Sequence, residues 1–260
     1  MRSTWNPEQY ARFGAERSQP FHDLLALVHR YPSMRVVDLG CGTGELTAQL
    51  HDQMDACETV GLDNSETMLA KSHAYERSDL RFEPGDIALF NADGREDGKY
   101  HLIFSNAALQ WVPDHEPLLA RLTDALTLDG QIAVQVPANY DYPTHTVAAE
   151  VASAAPFRDA LGGYVLRRPV LPPEQYATLL HGLGYREQHV RLQVYTHYLA
   201  SREDVVEWVK GTLLTDYQRR MPAELFARFL QEYRVRLLPH LDDTRPFFYP
   251  FKRILFWAAR

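Results

Sequence analysis

The sequence predicts an α/β fold: a doubly wound sheet of seven strands, mostly parallel, with added helices. Three observations carry the expectation. Short apolar runs recur at residues 36–39, 58–62, 80–83, 100–104 and 131–136, as strands buried on both faces require. Stretches of helical periodicity follow the first, second and fourth of them, as crossovers between parallel strands demand. The first run passes into Gly40-Cys41-Gly42-Thr43-Gly44, a tight strand-to-helix turn whose glycines let the backbone approach a ligand.

Taken in order, Trp5-Asn6-Pro7-Glu8-Gln9-Tyr10 has the signature of a helix start, with Asn6 at the N-cap, Pro7 at N1 and Gln9 at N3. A second helix is expected over 19–30, where Phe21, Leu24, Leu25 and Val28 share a face. The aromatics ahead of the first strand either pack as core or fold across a ligand cleft as a lid over 5–17. Arg17 is either solvated or a bidentate partner for a ligand carboxylate. After the glycines, 45–50 opens a helix, and the second strand ends on Asp63. An acid about 20 residues past the glycines is placed to accept from ribose hydroxyls; the alternative is an N-cap for the helix over 65–75, in which Met68 and Leu69 face inward.

The third strand runs into Gly85-Asp86-Ile87, either an ordinary turn or an adenine site, Asp86 accepting from the amino group and Ile87 covering the ring. The fourth is followed by Ser105-Asn106-Ala107-Ala108-Leu109-Gln110-Trp111, at the strand end where open parallel sheets bind ligands. There the small alanines admit a ligand and Asn106, Gln110 and Trp111 offer contacts, unless Trp111 is plain core. A helix is expected over 118–128 and the fifth strand over 131–136. Residues 139–169 read as irregular, with Pro143, Pro156, Gly162-Gly163 and Arg167-Arg168. Then come a helix over 172–183, a long strand over 185–199, helices over 202–213 and 222–238, and a closing strand over 251–259. The chain reads as one domain, 1–260, with cap elements at about 1–30, 138–172 and 200–250.

The ligand of the glycine turn can be narrowed. A dinucleotide fingerprint puts two residues between its last two glycines, whereas Thr43 alone separates Gly42 from Gly44. Asp38, just before the turn, would repel a pyrophosphate and attract a cationic amino-acid end. The stretch resembles motif I of the class I S-adenosylmethionine-dependent methyltransferases, whose fold is Rossmann-like, with Asp63 matching the family's ribose-binding acid. Further stretches are similar to the subfamily whose members methylate trans-aconitate, a small tricarboxylic acid. They are Trp5-Asn6-Pro7, Ala15-Glu16-Arg17-Ser18, Asn106 through His115, Ala133-Val134-Gln135-Val136-Pro137, Pro143-Thr144-His145 and Glu207-Trp208-Val209-Lys210-Gly211. Two departures stand out. Thr43 replaces the usual proline, and Thr212-Leu213-Leu214-Thr215-Asp216 replaces a segment that carries an arginine in the family, so Asp216 adds a negative charge.

The resemblance implies S-adenosyl-L-methionine as cofactor and a methyl ester formed on a small carboxylic acid. The expected cofactor contacts are Tyr10, Arg17, Asp38, Gly40, Cys41, Gly42, Asp63, Asn64, Met68, Asp86, Ile87, Asn106, Ala107 and Gln110. The expected substrate contacts are Trp111, His145, Arg168 and Lys252. No catalytic residue is expected, because a carboxyl group with a pKa near ~4 is already an anionic nucleophile at neutral pH. The alternative is a class I methyltransferase acting on another small metabolite or acyl carboxylate; more distant ones are a nicotinamide-dependent oxidoreductase and a cofactor-binding protein without transferase activity.

Composition excludes several classes. A net charge of -7 argues against a nucleic-acid surface. The two cysteines, Cys41 and Cys57, support neither a disulfide framework nor a metal site, and Cys41 is expected to pack as a small residue among the glycines. No run approaches a membrane span and no leader signature is evident, so a cytoplasmic monomer is expected.

Overall fold

The structure, a computed structural model, describes residues 14–91, 99–166 and 169–260, with side chains described from Ser18 onward. In chain order the elements are α1 (Gly14–Leu25), β1 (Arg35–Leu39), α2 (Glu45–Met54), β2 (Glu58–Asp63), α3 (Glu66–Ser72), β3 (Leu80–Pro84), β4 (Tyr100–Asn106), α4 (His115–Asp124) and β5 (Leu126–Pro137). They continue with α5 (Pro143–Ser153), α6 (Phe157–Ala160), α7 (Pro173–Gly182), β6 (Glu187–Leu199), α8 (Glu203–Lys210), α9 (Thr215–Arg219), α10 (Ala223–Leu237) and β7 (Phe247–Ala259).

The seven strands form one sheet in the order β3-β2-β1-β4-β5-β7-β6. The pairs β2–β3, β1–β2, β1–β4 and β4–β5 are parallel, and β5–β7 is antiparallel, from Gln131 opposite Ala259 to Pro137 opposite Arg253. Val36, Val37 and Leu39 are fully buried, the reason a continuous apolar run suits a central strand. The winding direction reverses between β1 and β4, so their carboxyl ends flank the crevice where doubly wound sheets take ligands.

The chain divides into two compact units. The sheet unit comprises Ser18–Ala138, Pro169–Gln193 and Arg253–Arg260. Its core runs from Val37 and Val60 through Ile103, Leu118, Leu119, Leu122 and Val134 to Tyr176 and Phe256, whose rings stack 4.7 Å apart. The helical unit holds the segments Asn139–Arg168 and Val194–Lys252. Its core is aromatic: Phe229 meets Phe157 and Tyr217, each at 5.2 Å, and Trp208 lies against Tyr249 and Phe251.

Several expected boundaries move. The helix expected over 19–30 is α1, which ends at Leu25. Segment 139–169 is not irregular: it contains α5 and α6. Pro143 sits in the first turn of α5, where its missing N–H and fixed φ favour helix, and Thr144, Val147, Ala148, Val151 and Ala152 form the buried stripe. The helix expected to reach Leu128 stops at Asp124, and β5 starts at Leu126, buried opposite Tyr100, while Leu128 is 88% exposed. The spacing of Leu118, Leu119, Leu122 and Leu126 continues helical periodicity across that junction. The helix expected over 202–213 ends at Lys210, and α9 is an additional short helix.

Phe229→Ala removes a fully buried ring from the helical unit and is expected to lower the unfolding free energy by about 3–5 kcal/mol. Phe248→Ala, at an exposed position, should cost less than about 1 kcal/mol. Guanidinium titrations of the two variants check the contrast.

Candidate active site

The turn after β1 is fastened to the end of β2. The N–H groups of Gly40 and Cys41 both donate to Leu62 O, at 2.7 and 3.0 Å. Gly40 and Gly42 have φ of 84° and 57°, a left-handed region costly for residues with a Cβ. A Cβ on Gly40 would lie 2.2 Å from that of Ala108, so this glycine lets the β4 loop close on the turn. A Cβ on Gly42 would meet nothing within 4 Å: this glycine faces open space.

Asp63 closes the turn from the other side. Its carboxylate accepts from Gly42 N at 2.9 Å and from Ser65 N at 2.8 Å. Ser65, not Asp63, occupies the N-cap position of α3. Asn64 is exposed, Met68 half-buried and Leu69 buried. Cys41 is buried with Leu69, Leu80 and Phe82, and burial pushes its thiol pKa well up, so packing is its structural role. Asp86 accepts from Ala88 N and caps a short turn, leaving the side chain exposed. Ile87 Cδ1 would lie 3.6 Å from a Cβ on Gly40, which places this side chain beside the glycines.

At the carboxyl end of β4, Ala107 adopts φ 56°, strained for an alanine. Two hydrogen bonds hold it there: Ala107 N donates to Gln135 O at 2.9 Å, and Gln110 Nε2 donates to Ala107 O at 2.6 Å. The buried acceptors Asn106 Oδ1 and Gln110 Oε1 have no hydrogen-bond partner among the described residues. Such an atom costs roughly 1–3 kcal/mol, and a donor on a ligand relieves it. Trp111 is 50% exposed, which excludes plain core.

Sequence reasoning assigned no role to Gln135, the support of Ala107. The support comes from its backbone carbonyl, which any residue at this position would supply, so no side chain in the sequence signals it. Gln135 Oε1 also accepts from buried Arg253 Nη1 at 3.3 Å.

Of the expected substrate contacts in the helical unit, Lys252 is ion-paired with Asp141 and holds that carboxyl below its usual pKa. His145 sits on α5, its Nδ1 3.1 Å from Thr144 Oγ1. Asp216 is not an isolated negative charge: its Oδ2 accepts from Tyr164 OH at 2.5 Å and pairs with Arg220 at 3.2 Å. Tyr10, Arg167, Arg168, the Arg17 side chain and most of the lid segment 5–17 lie outside the described residues.

A family model described as "Methyltransferase domain" matches residues 31–163. The chain is 44% identical over 263 residues to a trans-aconitate 2-methyltransferase of Deinococcus radiodurans, covering 99% of this chain and 98% of the relative. It is 42% identical over 253 residues to one of Variovorax paradoxus, covering 96% and 94%. The chain belongs to the trans-aconitate 2-methyltransferase family. It is an S-adenosylmethionine-dependent methyltransferase. Among solved structures, YcgJ from Bacillus subtilis superposes with a TM-score of 0.60 over 93% of this chain and 98% of that one. At 14% identity that likeness speaks for the fold alone. No described helix is long and apolar enough to cross a membrane.

The methyltransferase keeps an unusual acid beneath its turn. Asp38 is 4% exposed, and its Oδ2 accepts from Thr47 Oγ1 at 2.6 Å. Burial raises its pKa to about 7; the Thr47 hydrogen bond opposes the shift and the charge of Asp63 adds to it. The folded state therefore binds more protons than the unfolded chain between about pH 4 and pH 7, so this group's contribution to stability falls as pH rises through that window. Asp38→Asn removes the effect. The unfolding free energy of the native protein minus that of the variant, measured without ligand, should decline by a few kcal/mol between pH 4 and pH 8, since a tenfold change in proton affinity on folding is worth about 1.36 kcal/mol. A difference constant across that range contradicts the assignment.

Proposed function

We propose that this chain transfers a methyl group from S-adenosylmethionine to a carboxylate oxygen of trans-aconitate, forming the ester. The observation that carries the proposal is identity of 44% and 42% to two relatives named trans-aconitate 2-methyltransferase, over more than nine-tenths of this chain in each. The cofactor, when bound, supplies an electrophilic methyl on a sulfonium.

The residues of the turn suit that cofactor. Asp63 still has lone pairs for ribose hydroxyls beyond its two backbone bonds. Gly42 leaves room where a side chain would otherwise stand. Asp86 and Ile87 offer an acceptor and an apolar face to an adenine. Asn106 Oδ1 and Gln110 Oε1 are acceptors lacking donors, and an ammonium group on the ligand is such a donor. Asp38, ionised above about pH 7, adds negative potential beneath a cationic ligand.

The acceptor needs no base, since the acid arrives ionised. The protein's task is to align the carboxylate oxygen with the methyl and to strip water from it. Trp111, exposed beside the strained Ala107, offers an apolar wall for that purpose. His145, Lys252 and Arg168 remain the proposed substrate contacts, and Lys252 would share its charge between Asp141 and the acid. The reading implies a small-molecule carboxylic acid as the only partner needed, with the protein acting as a cytoplasmic monomer.

The test is tritiated-methyl transfer to a panel of di- and tricarboxylates, followed by alkali. Alkali-labile label on trans-aconitate is the expected result. Label that survives alkali indicates N- or C-methylation and overturns the ester assignment.

A further inference from the structure

Helix α4 touches, through two of its side chains, both loops that carry the expected adenine and ammonium contacts. His115, its first residue, is 2% exposed. Its Nε2 donates at 2.9 Å to Leu109 O, in the short turn that also holds Gln110 and Trp111. Arg121, in the last turn of α4, donates from Nη2 to Ala88 O at 2.8 Å. Ala88 lies in the short turn that Asp86 caps and Ile87 opens.

The His115 contact has a fixed direction. Leu109 O can only accept, so Nε2 carries the imidazole proton. Leu171 N donates to the Tyr176 hydroxyl at 3.2 Å, and that hydroxyl donates to His115 Nδ1 at 2.5 Å. Burial lowers the imidazole pKa, which keeps the ring neutral and Nδ1 an acceptor. Tyr176, fully buried on α7, stacks on Phe256 of β7, so one ring ties the 109–111 turn to two further elements. Two residues in left-handed backbone, Ala107 with φ 56° and Asp114 with φ 53°, bracket that turn. Local preference therefore works against this loop conformation, and side-chain contacts must hold it.

The β3 turn is held from both sides. Ala88 N donates to Asp86 Oδ1 at 2.8 Å, and Ala88 O accepts from Arg121. Arg121 Nη1 donates at 3.3 Å to Pro117 O within α4 itself, so the guanidinium spends both bonds on carbonyls.

We propose that His115 and Arg121 are positioning residues for S-adenosylmethionine: α4 holds the two turns so that Gln110, Asp86 and Ile87 meet the cofactor together. Both act through those turns and not on the reacting atoms. The inference rests on the cofactor contacts assigned above and concerns cofactor binding, whatever the acceptor.

The test measures S-adenosylhomocysteine affinity by calorimetry and KM for S-adenosylmethionine in the full-length protein. Arg121→Met deletes the donor at a half-buried position, and Arg121→Lys restores one. His115→Leu deletes the Nε2 donor, and His115→Gln restores an amide donor near that place. Each deletion should weaken S-adenosylhomocysteine by about fivefold or more and raise KM for the cofactor, with kcat at saturation within about twofold. The restoring variants should recover most of the loss. S-adenosylmethionine carries a sulfonium charge, so deleting the Arg121 cation would by charge alone tighten it. A weaker complex therefore reports position.

The effect should also vanish where there is nothing left to position. In a Gln110→Ala background, His115→Leu should cost less than about twofold, and so should Arg121→Met in Asp86→Ala with Ile87→Ala. The Arg121 pair decides the matter if His115→Leu does not fold. Native-like affinity and KM in folded Arg121→Met, or an equal loss in both backgrounds, overturns the proposal and leaves the transfer reaction standing. Absence of transfer from native enzyme to any acid, with the affinity pattern as expected, overturns the reaction and leaves the role of α4.

Discussion

The hydrogen bond from Gly42 N to the Asp63 carboxylate is the interaction on which the candidate cofactor site depends. It joins the turn after β1 to the tip of β2, across strands already in register from Arg35–Glu58 to Leu39–Leu62. With the two bonds from Gly40 N and Cys41 N to Leu62 O, it fixes a left-handed backbone that only glycine adopts at little cost. The same turn receives Ala108 from the β4 loop and Ile87 from the end of β3. Residues from four consecutive strand ends thus converge through backbone geometry, with one carboxylate as the fastening.

Around that fastening the protein retains features that stability alone would remove. Asp38 is buried with a raised pKa, Ala107 is strained, and Asn106 and Gln110 present acceptors without donors. Each lowers the stability of the ligand-free chain, and all belong to the carboxyl ends of β1 and β4. Unfavourable polar groups gathered at one end of a sheet mark a place built for a ligand that carries donors and positive charge.

The sheet half was legible in the sequence because its strands are buried on both faces and so appear as unbroken apolar runs. The glycine spacing and Asp63 were legible because few arrangements of strand, turn and acid place such residues together. The C-terminal half was harder to read. Pro143 looked like a breaker, yet in a first turn proline starts a helix. The leucine spacing through 118–126 did not reveal where α4 yields to β5, since Leu126 suits either periodicity. Gln135 acts through a backbone carbonyl, which composition cannot reveal. Asp216 looked like a repulsive charge because its partners, Tyr164 and Arg220, are brought to it only by the fold. The Ala107 strain had no sequence signal, because alanine rarely adopts a left-handed φ.

The central claim is that the turn and Asp63 form one cofactor cradle. Calorimetric titration of S-adenosylhomocysteine into native protein and into Asp63→Ala, both verified as folded by their melting curves, tests it most directly. Loss of the charged acceptor should weaken binding by roughly 1.5–3 kcal/mol, about ten- to a hundredfold. Equal affinity in the two proteins would contradict the account.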